Sequence, residues 1–357
     1  MMRTYIIAEA GVNHNGSLDI ALELVDKAKE SGADAIKFQT FTAENLVKKN
    51  TPQADYQKAN MNLEQSQFEM LKKLELSRDD HFKLFSYCSQ KKIDFISSPF
   101  DEDSFVFLAD SLKLKRIKLG SGEITNGPLL MKIAQRGIDL ILSTGMSTLG
   151  DIELALACLA FGYLRIDTQP TIENFLMAYS KPEALEILKK KVVMLHCTSE
   201  YPAPVKDVNL RVIPKLIDAF GIPVGYSDHT QSIVIPSAAV ALGAEVIEKH
   251  FTLDRKMKGP DHKASIEPNA FKNMVDNIRD VENALGGSRK IVTSMEWSNR
   301  KLVRKGVYAK GKIKTGETIT ADKIMAKRPA DAHSPMLFWT FIDKKAEKDY
   351  DPDDAIR

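Results

Sequence analysis

The chain has 357 residues, of which 43% are hydrophobic and 27% charged, enough apolar material for one large domain and a smaller one. Lys and Arg number 50 against 48 Asp and Glu, so neither a nucleic acid nor a membrane is expected as a partner. The cysteines, Cys88, Cys158 and Cys197, lack metal or redox spacing, no stretch predicts a membrane span, and no basic leader precedes the first predicted strand. We therefore expect a cytoplasmic protein with reduced thiols.

Short β-branched segments alternate with amphipathic helical stretches over the first 285 residues. The predicted strands are residues 5–10, 35–40, 94–98, 116–120, 140–144, 192–198, 222–227 and 245–251. Ser17 is a suitable N-cap for the first helix, in which apolar residues recur at helical spacing. Eight strand–helix units without a GxGxxG turn favour a closed barrel over an open doubly wound sheet. Residues 1–285 are therefore predicted to form an α/β protein, a TIM-type (β/α)8 barrel.

Two segments fall outside this repeat. Residues 162–190 separate the fifth helix from the sixth strand and contain the helical sequence KPEALEILKKK, so they are predicted to be a peripheral insertion. A Gly-Gly-Ser run opens a predicted linker over 286–296. Short β-rich runs with glycines at turn spacing then predict a small β-rich domain over 297–357.

Polar residues occur at the end of every predicted strand, where TIM barrels carry their active sites. In strand order they are Glu9; Lys37, Gln39 and Thr40; Ser97 and Ser98; Lys118, Ser121 and Glu123; Ser143 and Thr144; His196, Thr198, Ser199 and Tyr201; Ser227, Asp228 and His229; Glu248, Lys249 and His250. So many polar residues at one mouth indicate a functional site, and Glu9 is predicted to line it.

Two lysines of this set indicate a phosphate pocket. Lys37 or Lys118 alone could extend its amine to solvent. Together, with Ser121, Ser143 and Ser227 around them, they supply the fixed cations and hydroxyl donors that a small phosphorylated carboxylate needs.

Two histidines at consecutive strand ends indicate a metal site. A lone histidine is more often an ordinary core or surface residue, but His229 and His250 are predicted to face one mouth. Two neutral imidazoles suit a divalent cation that keeps positions open for water and substrate. After the last strand, GPDHKAS places Asp261 and His262 on a loop, where a structural role and ligand contact are equally open.

Taken together, these motifs resemble the sialic acid synthase family, which includes bacterial N-acetylneuraminate synthases and their legionaminate and pseudaminate relatives. The motifs are AEAGVNHNGS, AIKFQTF, SSPFDEDS, IKLGSGE, LSTGM, HCTSEYPAP, GYSDHT, EKHFTLD and GPDHKASIEP. The C-terminal sequences RKGVYAKGKIKTGETIT and KRPADAHSP are similar to the antifreeze-like (SAF) domain of those enzymes. The resemblance therefore covers nearly the whole chain.

The resemblance implies condensation of phosphoenolpyruvate with an N-acetylmannosamine-type sugar, which gives a nine-carbon 2-keto-3-deoxy acid and phosphate. The residues then expected to bind phosphoenolpyruvate are Lys37, Ser98, Lys118, Ser121, Ser143, Ser199 and Ser227. Those expected to contact the sugar are Gln39, Tyr201 and Arg328, and those expected to act in catalysis are Glu9, Glu123 and Asp261. His229 and His250 would bind Mn²⁺, with Mg²⁺ or Co²⁺ as substitutes. The resemblance also implies a domain-swapped homodimer in which Arg328 reaches the partner's barrel.

The positions expected near the sugar depart from the family pattern in two places. Ser199 stands where many members have Asn, and Ala330, Asp331 and Ala332 replace a common Gly-Asn-Gly. We expect N-acetylmannosamine as acceptor, with a diacetamido-deoxy sugar, as in a legionaminate or pseudaminate synthase, as the alternative. Another phosphoenolpyruvate or aldol reaction on an unacylated sugar, and a non-catalytic sugar-binding protein on the same scaffold, are further alternatives.

Overall fold

The structure is a computed structural model that describes residues 3–53 and 66–356. The chain divides into two compact units, Met1–Gly286 and Gly287–Arg357. Within the described residues, none of the helices is both long and apolar enough to cross a bilayer.

Eight parallel strands form the first unit, each where the sequence predicts one. They are β1 (Tyr5–Gly11), β2 (Ala35–Thr40), β3 (Asp94–Pro99), β4 (Arg116–Leu119), β5 (Asp139–Ser143), β6 (Val192–Cys197), β7 (Val224–Asp228) and β8 (Val246–His250). Their order is β3-β2-β1-β8-β7-β6-β5-β4, and β3 and β4, at its two ends, lie beside each other. The sheet is thus a nearly closed α/β barrel of the predicted TIM type.

Helices alternate with these strands, and most of them bury an apolar face in the main core. They are α1 (Leu18–Glu30), α2 (Ala43–Leu46), α3 (Gln67–Leu74), α4 (Arg78–Lys91), α5 (Glu102–Val106), α6 (Gly127–Gln135), α7 (Leu149–Tyr163), α8 (Ile172–Tyr179), α9 (Pro182–Lys191), α10 (Val212–Phe220), α11 (Ile235–Ala241) and α12 (Pro268–Leu285). A π-helical turn follows α5, at Phe107–Ser111, and 3₁₀ turns lie at Ser121–Glu123, Val205–Asp207 and His262–Ala264. The Ser17 hydroxyl accepts a hydrogen bond from the Ile20 amide, as an N-cap does.

An apolar layer inside the barrel supports the polar mouth. It contains Ile7, Ala35, Ile96, Ile141, Leu195 and Val246. Successive side chains of a strand alternate between its two faces, so residues two positions further along point the same way. Ile7 thus lies below Glu9, Ile96 below Ser98 and Ile141 below Ser143.

The range 162–190 is not a peripheral insertion as a whole. Its second helix, α9, contacts β5 and β6, and its Ala184 and Leu188 are fully buried in the main core. The four-residue spacing of these two side chains gives α9 one apolar face, which packs on the barrel. The prediction was wrong for this helix, whereas α8 leaves Ile172 and Met177 exposed.

The second unit has its own small core. A helix, α13 (Ser294–Val303), precedes an antiparallel pair, β9 (Gly306–Ala309) and β10 (Ile324–Lys327), and a 3₁₀ turn at Pro335–Thr340. The core consists of Val307, Ala309, Ile313, Ile319, Ile324, Ala346, Tyr350 and Ile356. Thr293 caps α13, so the helix begins inside the range 286–296 that the sequence marks as a linker.

Candidate active site at the barrel mouth

A cavity of about 450 Å³ lies at the carboxyl ends of the strands. The predicted site residues that line it are Glu9, Lys37, Gln39, Ser98, Lys118, Ser121, Ser143, Ser199, Tyr201, Ser227, His229, His250 and Asp261. This volume falls within the range of pockets that take small-molecule ligands. The barrel therefore brings together residues that are spread over some 250 positions of the sequence, from Glu9 to Asp261.

Two predicted site residues lie elsewhere. Glu123 is half-buried in the turn after β4, where its carboxylate accepts a hydrogen bond of 2.7 Å from the Asn126 amide, and it does not line the cavity. Arg328 belongs to the second unit, where its side chain is exposed. The roles that the family resemblance implies for these two residues stay predictions.

A buried network of charges forms the floor of the cavity. Lys37 Nζ lies 3.3 Å from Glu9 Oε2 and 3.1 Å from Glu248 Oε2, and Lys118 Nζ lies 3.4 Å from Glu248 Oε1. The Ser227 hydroxyl donates a 2.9 Å hydrogen bond to Glu248 Oε1. Glu248 is thus a shared counter-ion for both ammonium groups.

Glu248 is among the predicted strand-end residues, but no binding or catalytic role was predicted for it, although the signal is present in the sequence. Glu248 and His250 are two residues apart on β8, so a mouth position for His250 implies one for Glu248. Lys249 points the other way, where its Nζ lies 2.6 Å from Asp228 Oδ2 in a fully buried ion pair. Lys249 also donates hydrogen bonds to the carbonyls of Thr230 and Ser232, so this pair ties β7 to β8 behind the mouth.

The two carboxylates of the floor have opposite electrostatics. Burial raises the pKa of Glu9 to about 7, with the nearby charge of Glu248 adding to the rise against the pull of Lys37. Burial acts on Glu248 in the same direction, but Lys118 and Lys37 outweigh it and hold its pKa well below the usual range. Glu248 therefore stays ionised, whereas Glu9 gains and loses a proton near neutral pH.

The raised pKa of Glu9 predicts a pH-dependent stability. The pKa of Glu9 is higher in the folded state than in the unfolded state, so the wild type loses stability as the pH rises through about 7. Glutamine at this position does not titrate, so the variant does not lose stability in this way. The free energy of unfolding of Glu9→Gln, minus that of the wild type, should therefore increase as the pH is raised from about 5 to about 8. The expected increase is up to about 3 kcal/mol. Urea unfolding in the presence of a chelator measures this gain. Glu186→Gln, at an exposed position, is the control. The prediction would be contradicted if the difference in free energy of unfolding between wild type and Glu9→Gln did not change with pH.

The histidine pair has the features of metal ligands. The ring centroids of His229 and His250 are 5.5 Å apart, and the His229 Nδ1 donates a 2.7 Å hydrogen bond to the Thr198 carbonyl, which leaves Nε2 without a proton. Burial lowers the pKa of His229 to about 4 and, with His229 adding to the effect, that of His250 well below its usual value. Both rings are therefore neutral at pH 7, as metal coordination requires.

Unsatisfied polar atoms also point to a ligand at this site. Among the described residues, His250 Nδ1 and Ser98 Oγ are buried without a hydrogen-bond partner. The part of the chain that the structure describes contains no group of three or more His, Cys, Asp or Glu residues that could hold a metal. The neutral His229–His250 pair, with its unpartnered ring nitrogen, fits a divalent cation held by two protein ligands and with other positions left for substrate or water.

A serine cluster on another side of the cavity depends on Gly145. The Gly145 amide donates a 3.0 Å hydrogen bond to the Ser121 hydroxyl, and a Cβ on Gly145 would overlap the hydroxyls of Ser121 and Ser199. The absence of a side chain at Gly145 thus lets both serines approach the mouth.

Gly145→Ala should lower the free energy of unfolding by about 1–3 kcal/mol and raise the KM for a phosphorylated substrate, because it displaces both serines. Chemical denaturation and steady-state kinetics measure the two effects. Gly145→Ala/Ser199→Gly should recover part of the stability because the second change removes the closer contact. Gly150→Ala, where an added Cβ would make only an ordinary contact with Thr148, is the matched control, and an equal effect at both glycines would contradict the prediction.

Apolar side chains that were not predicted to belong to the site also line the cavity. They are Val12, Leu46, Val47, Met70, Leu71, Leu74 and Phe100, called here the apolar wall. These residues pack on one another in a cluster separate from the main core. The cavity thus combines a charged floor with an apolar wall.

Comparison with known proteins identifies the family of this barrel. A profile of the NeuB family matches residues 24–290, which is more than half of the chain. The chain belongs to the NeuB family. It is 44% identical to the N,N'-diacetyllegionaminic acid synthase of Campylobacter jejuni, over 100% of both chains. It is 46% identical to the Legionella pneumophila enzyme of the same name, over 94% of this chain and 88% of that one.

A solved structure supports the same assignment. The N-acetylneuraminic acid synthetase of Leptospira borgpetersenii, crystallised with citrate, is 31% identical, with a TM-score of 0.67 over 83% of this chain and 90% of that one. The family resemblance drawn from the sequence motifs is thereby confirmed.

Proposed function

We propose that this protein condenses phosphoenolpyruvate with a diacetamido-deoxy sugar to give a nine-carbon, legionaminate-type 2-keto-3-deoxy acid and phosphate. Two relatives above 40% identity, both named N,N'-diacetyllegionaminic acid synthase, favour this acceptor over the N-acetylmannosamine that we first expected. The observation that carries the proposal is the placement of two buried lysines and two neutral histidines in one cavity.

The charged floor suits phosphoenolpyruvate. Lys37 and Lys118 share one permanent counter-ion, Glu248, so the floor keeps a net positive charge for a phosphorylated carboxylate whenever Glu9 is protonated. Binding of the anion would raise the pKa of Glu9 further and favour that protonated form. The hydroxyls of Ser98 and Ser143 add hydrogen-bond donors at the same mouth.

The chemistry joins carbon 3 of phosphoenolpyruvate to the sugar aldehyde. His229 and His250 would hold a divalent cation, Mn²⁺ by the family resemblance, which supplies Lewis-acid polarisation of that aldehyde. Gln39 and Tyr201 would orient the sugar. Water then adds at the electron-poor carbon 2, and phosphate leaves by cleavage of its C–O bond.

Proton transfer in this reaction requires groups that titrate near neutral pH. Burial raises the pKa of Asp261 to about 6, and the pKa of Glu9 is about 7, so both cavity carboxyls are suited to this role. Glu123 stays our sequence-based candidate for accepting the proton of the attacking water.

An acceptor panel tests the proposal, with phosphate release as the readout. Phosphoenolpyruvate is combined with a diacetamido-deoxy sugar, N-acetylmannosamine, its 6-phosphate or an unacylated sugar. The highest kcat/KM should belong to the diacetamido-deoxy sugar. A higher value for N-acetylmannosamine would overturn the acceptor assignment. Sugar binding without phosphate release from any mixture would favour the non-catalytic alternative.

We also propose that the second unit is an SAF domain and that Arg328 acts on the partner's barrel in a homodimer. The tail motifs that resemble this domain support the proposal, as does the exposure of Arg328. Arg328→Ala and His250→Ala chains should each be nearly inactive. After unfolding and re-association together they should recover about a quarter of wild-type activity, because half of the dimers are mixed and each mixed dimer has one intact site. If mixed dimers are shown to form but have no activity, the proposal that Arg328 acts on the partner's barrel is contradicted.

A further inference from the structure

The apolar wall is not accounted for by phosphoenolpyruvate. That substrate consists almost entirely of charged oxygen-rich groups, which the lysines and serines of the floor match. Leu46 and Val47 are only half-buried and face the cavity beside the charged floor. Apolar side chains that line a ligand cavity are favoured where the ligand itself carries apolar surface.

The wall is held in a fixed position. The Ala43 amide donates a 2.7 Å hydrogen bond to Glu75 Oε1, and Lys72 Nζ lies 3.0 Å from Glu44 Oε1. These contacts connect α2, which carries Leu46, to α3 and the residue that follows it. Met70 and Leu74 of α3 are buried behind the exposed part of the wall, so the surface is formed before any ligand binds.

Different acceptors present different amounts of apolar surface to such a wall. N-acetylmannosamine has one methyl group, in its acetyl, and ends in a hydroxymethyl group. A diacetamido sugar deoxygenated at its terminal carbon has three methyl groups, two from the acetyls and one at the end of the chain. Each buried methyl or methylene favours binding, whereas a buried hydroxyl without a partner opposes it.

We infer that the apolar wall binds the methyl-bearing end of the acceptor, and that Leu46 and Val47 select the deoxygenated terminus over a hydroxymethyl one. This inference rests on the proposed function and assigns its acceptor specificity to particular side chains. Met70, Leu71 and Leu74 support the two selecting residues from behind. The charged floor takes no part in this choice.

The test compares two acceptors that differ only in the terminal group, methyl or hydroxymethyl, on the same diacetamido sugar. Val47→Thr keeps the shape of the side chain and adds a hydroxyl, and Leu46→Asn is a second variant of similar size. Each should lower the methyl-to-hydroxymethyl ratio of kcat/KM by about 10-fold. The KM for phosphoenolpyruvate should stay unchanged. Val234→Thr, at an exposed position outside the cavity lining, is the matched control and should leave the ratio as in wild type.

Binding of the corresponding unreactive sugar alcohols, measured by calorimetry, separates selection from turnover. The wild type should bind the methyl-terminated alcohol more tightly, and Val47→Thr should reduce that preference. If both acceptors turn over and the folded variants keep the wild-type ratio, the inference about the wall is overturned while the synthase function stands. If the wild type releases no phosphate with either acceptor, the proposed function fails, and the inference fails with it.

Discussion

Replacement of Glu248 by glutamine is expected to lower the free energy of unfolding by about 3–5 kcal/mol, because it leaves buried ammonium groups without their counter-ion. Glu248 lies within 3.4 Å of both Lys37 and Lys118, and all three side chains are buried. Burial already lowers the pKa of Lys118, and loss of the carboxylate would lower it further. Turnover should fall to background, since the lysines then lose the charge that holds them in place. Urea unfolding and phosphate release measure the two effects.

A double variant separates charge balance from catalysis. Lys118→Met removes one of the two cations that Glu248 balances. The loss of free energy of unfolding in the double variant Glu248→Gln/Lys118→Met should therefore be smaller than the sum of the losses in the two single variants, by about 0.5–3 kcal/mol. It should remain inactive, because Lys118 is the proposed partner of phosphoenolpyruvate. The exposed Glu102→Gln is the control for loss of a surface carboxylate. If Glu248→Gln were as stable as the wild type, the role of Glu248 as shared counter-ion of Lys37 and Lys118 would be contradicted.

Loss of either mouth histidine is expected to abolish turnover while the barrel stays folded, because strand-end residues at this face serve the site more than the core. The ring centroids of His229 and His250 are 5.5 Å apart, and His250 Nδ1 is buried without a hydrogen-bond partner among the described residues, which is compatible with a cation held by these two ligands. Chelation should therefore abolish activity and Mn²⁺ should restore it, with Mg²⁺ or Co²⁺ less effective.

Direct metal binding gives a readout that does not depend on turnover. Titration of Mn²⁺ followed by electron paramagnetic resonance should show at least about 100-fold weaker binding in His250→Ala than in wild type. His333→Ala, an exposed histidine of the second unit, is the matched control and should bind as wild type does. Full activity in excess chelator, or unchanged Mn²⁺ affinity in His250→Ala, would contradict the metal site.

The barrel and most of the cavity lining could be predicted because both follow from local periodicity. An apolar residue such as Ile7 followed two positions later by a polar one such as Glu9 marks a strand that ends at a mouth. Since every strand of a TIM barrel ends at the same face, such residues converge without any knowledge of tertiary contacts.

The features that were missed depend on tertiary packing. The role of Glu248 as shared counter-ion follows from the distances between three strands, which the sequence does not contain. The apolar wall reads in sequence as ordinary helix core, because only the position of α2 and α3 decides that Leu46 and Val47 face a cavity. The packing of α9 on the barrel was missed because its range falls outside the strand–helix repeat, which suggested an insertion.

A polar residue that closely follows a strand does not always line the cavity. Glu123 follows β4 closely, yet the turn that contains it directs its carboxylate to Asn126. A residue beyond the last strand position is placed by its loop, and the alternation of the strand no longer predicts its direction.

The most direct test of the central claim uses phosphoenolpyruvate labelled with ¹⁸O at the oxygen that bridges carbon 2 and phosphorus, together with the diacetamido-deoxy acceptor. Mass spectrometry follows both products. Our account predicts phosphate that retains the label and, in equal amount, a nine-carbon acid, because the C–O bond breaks. Unlabelled phosphate, release of free pyruvate in place of the acid, or no consumption of phosphoenolpyruvate would contradict it.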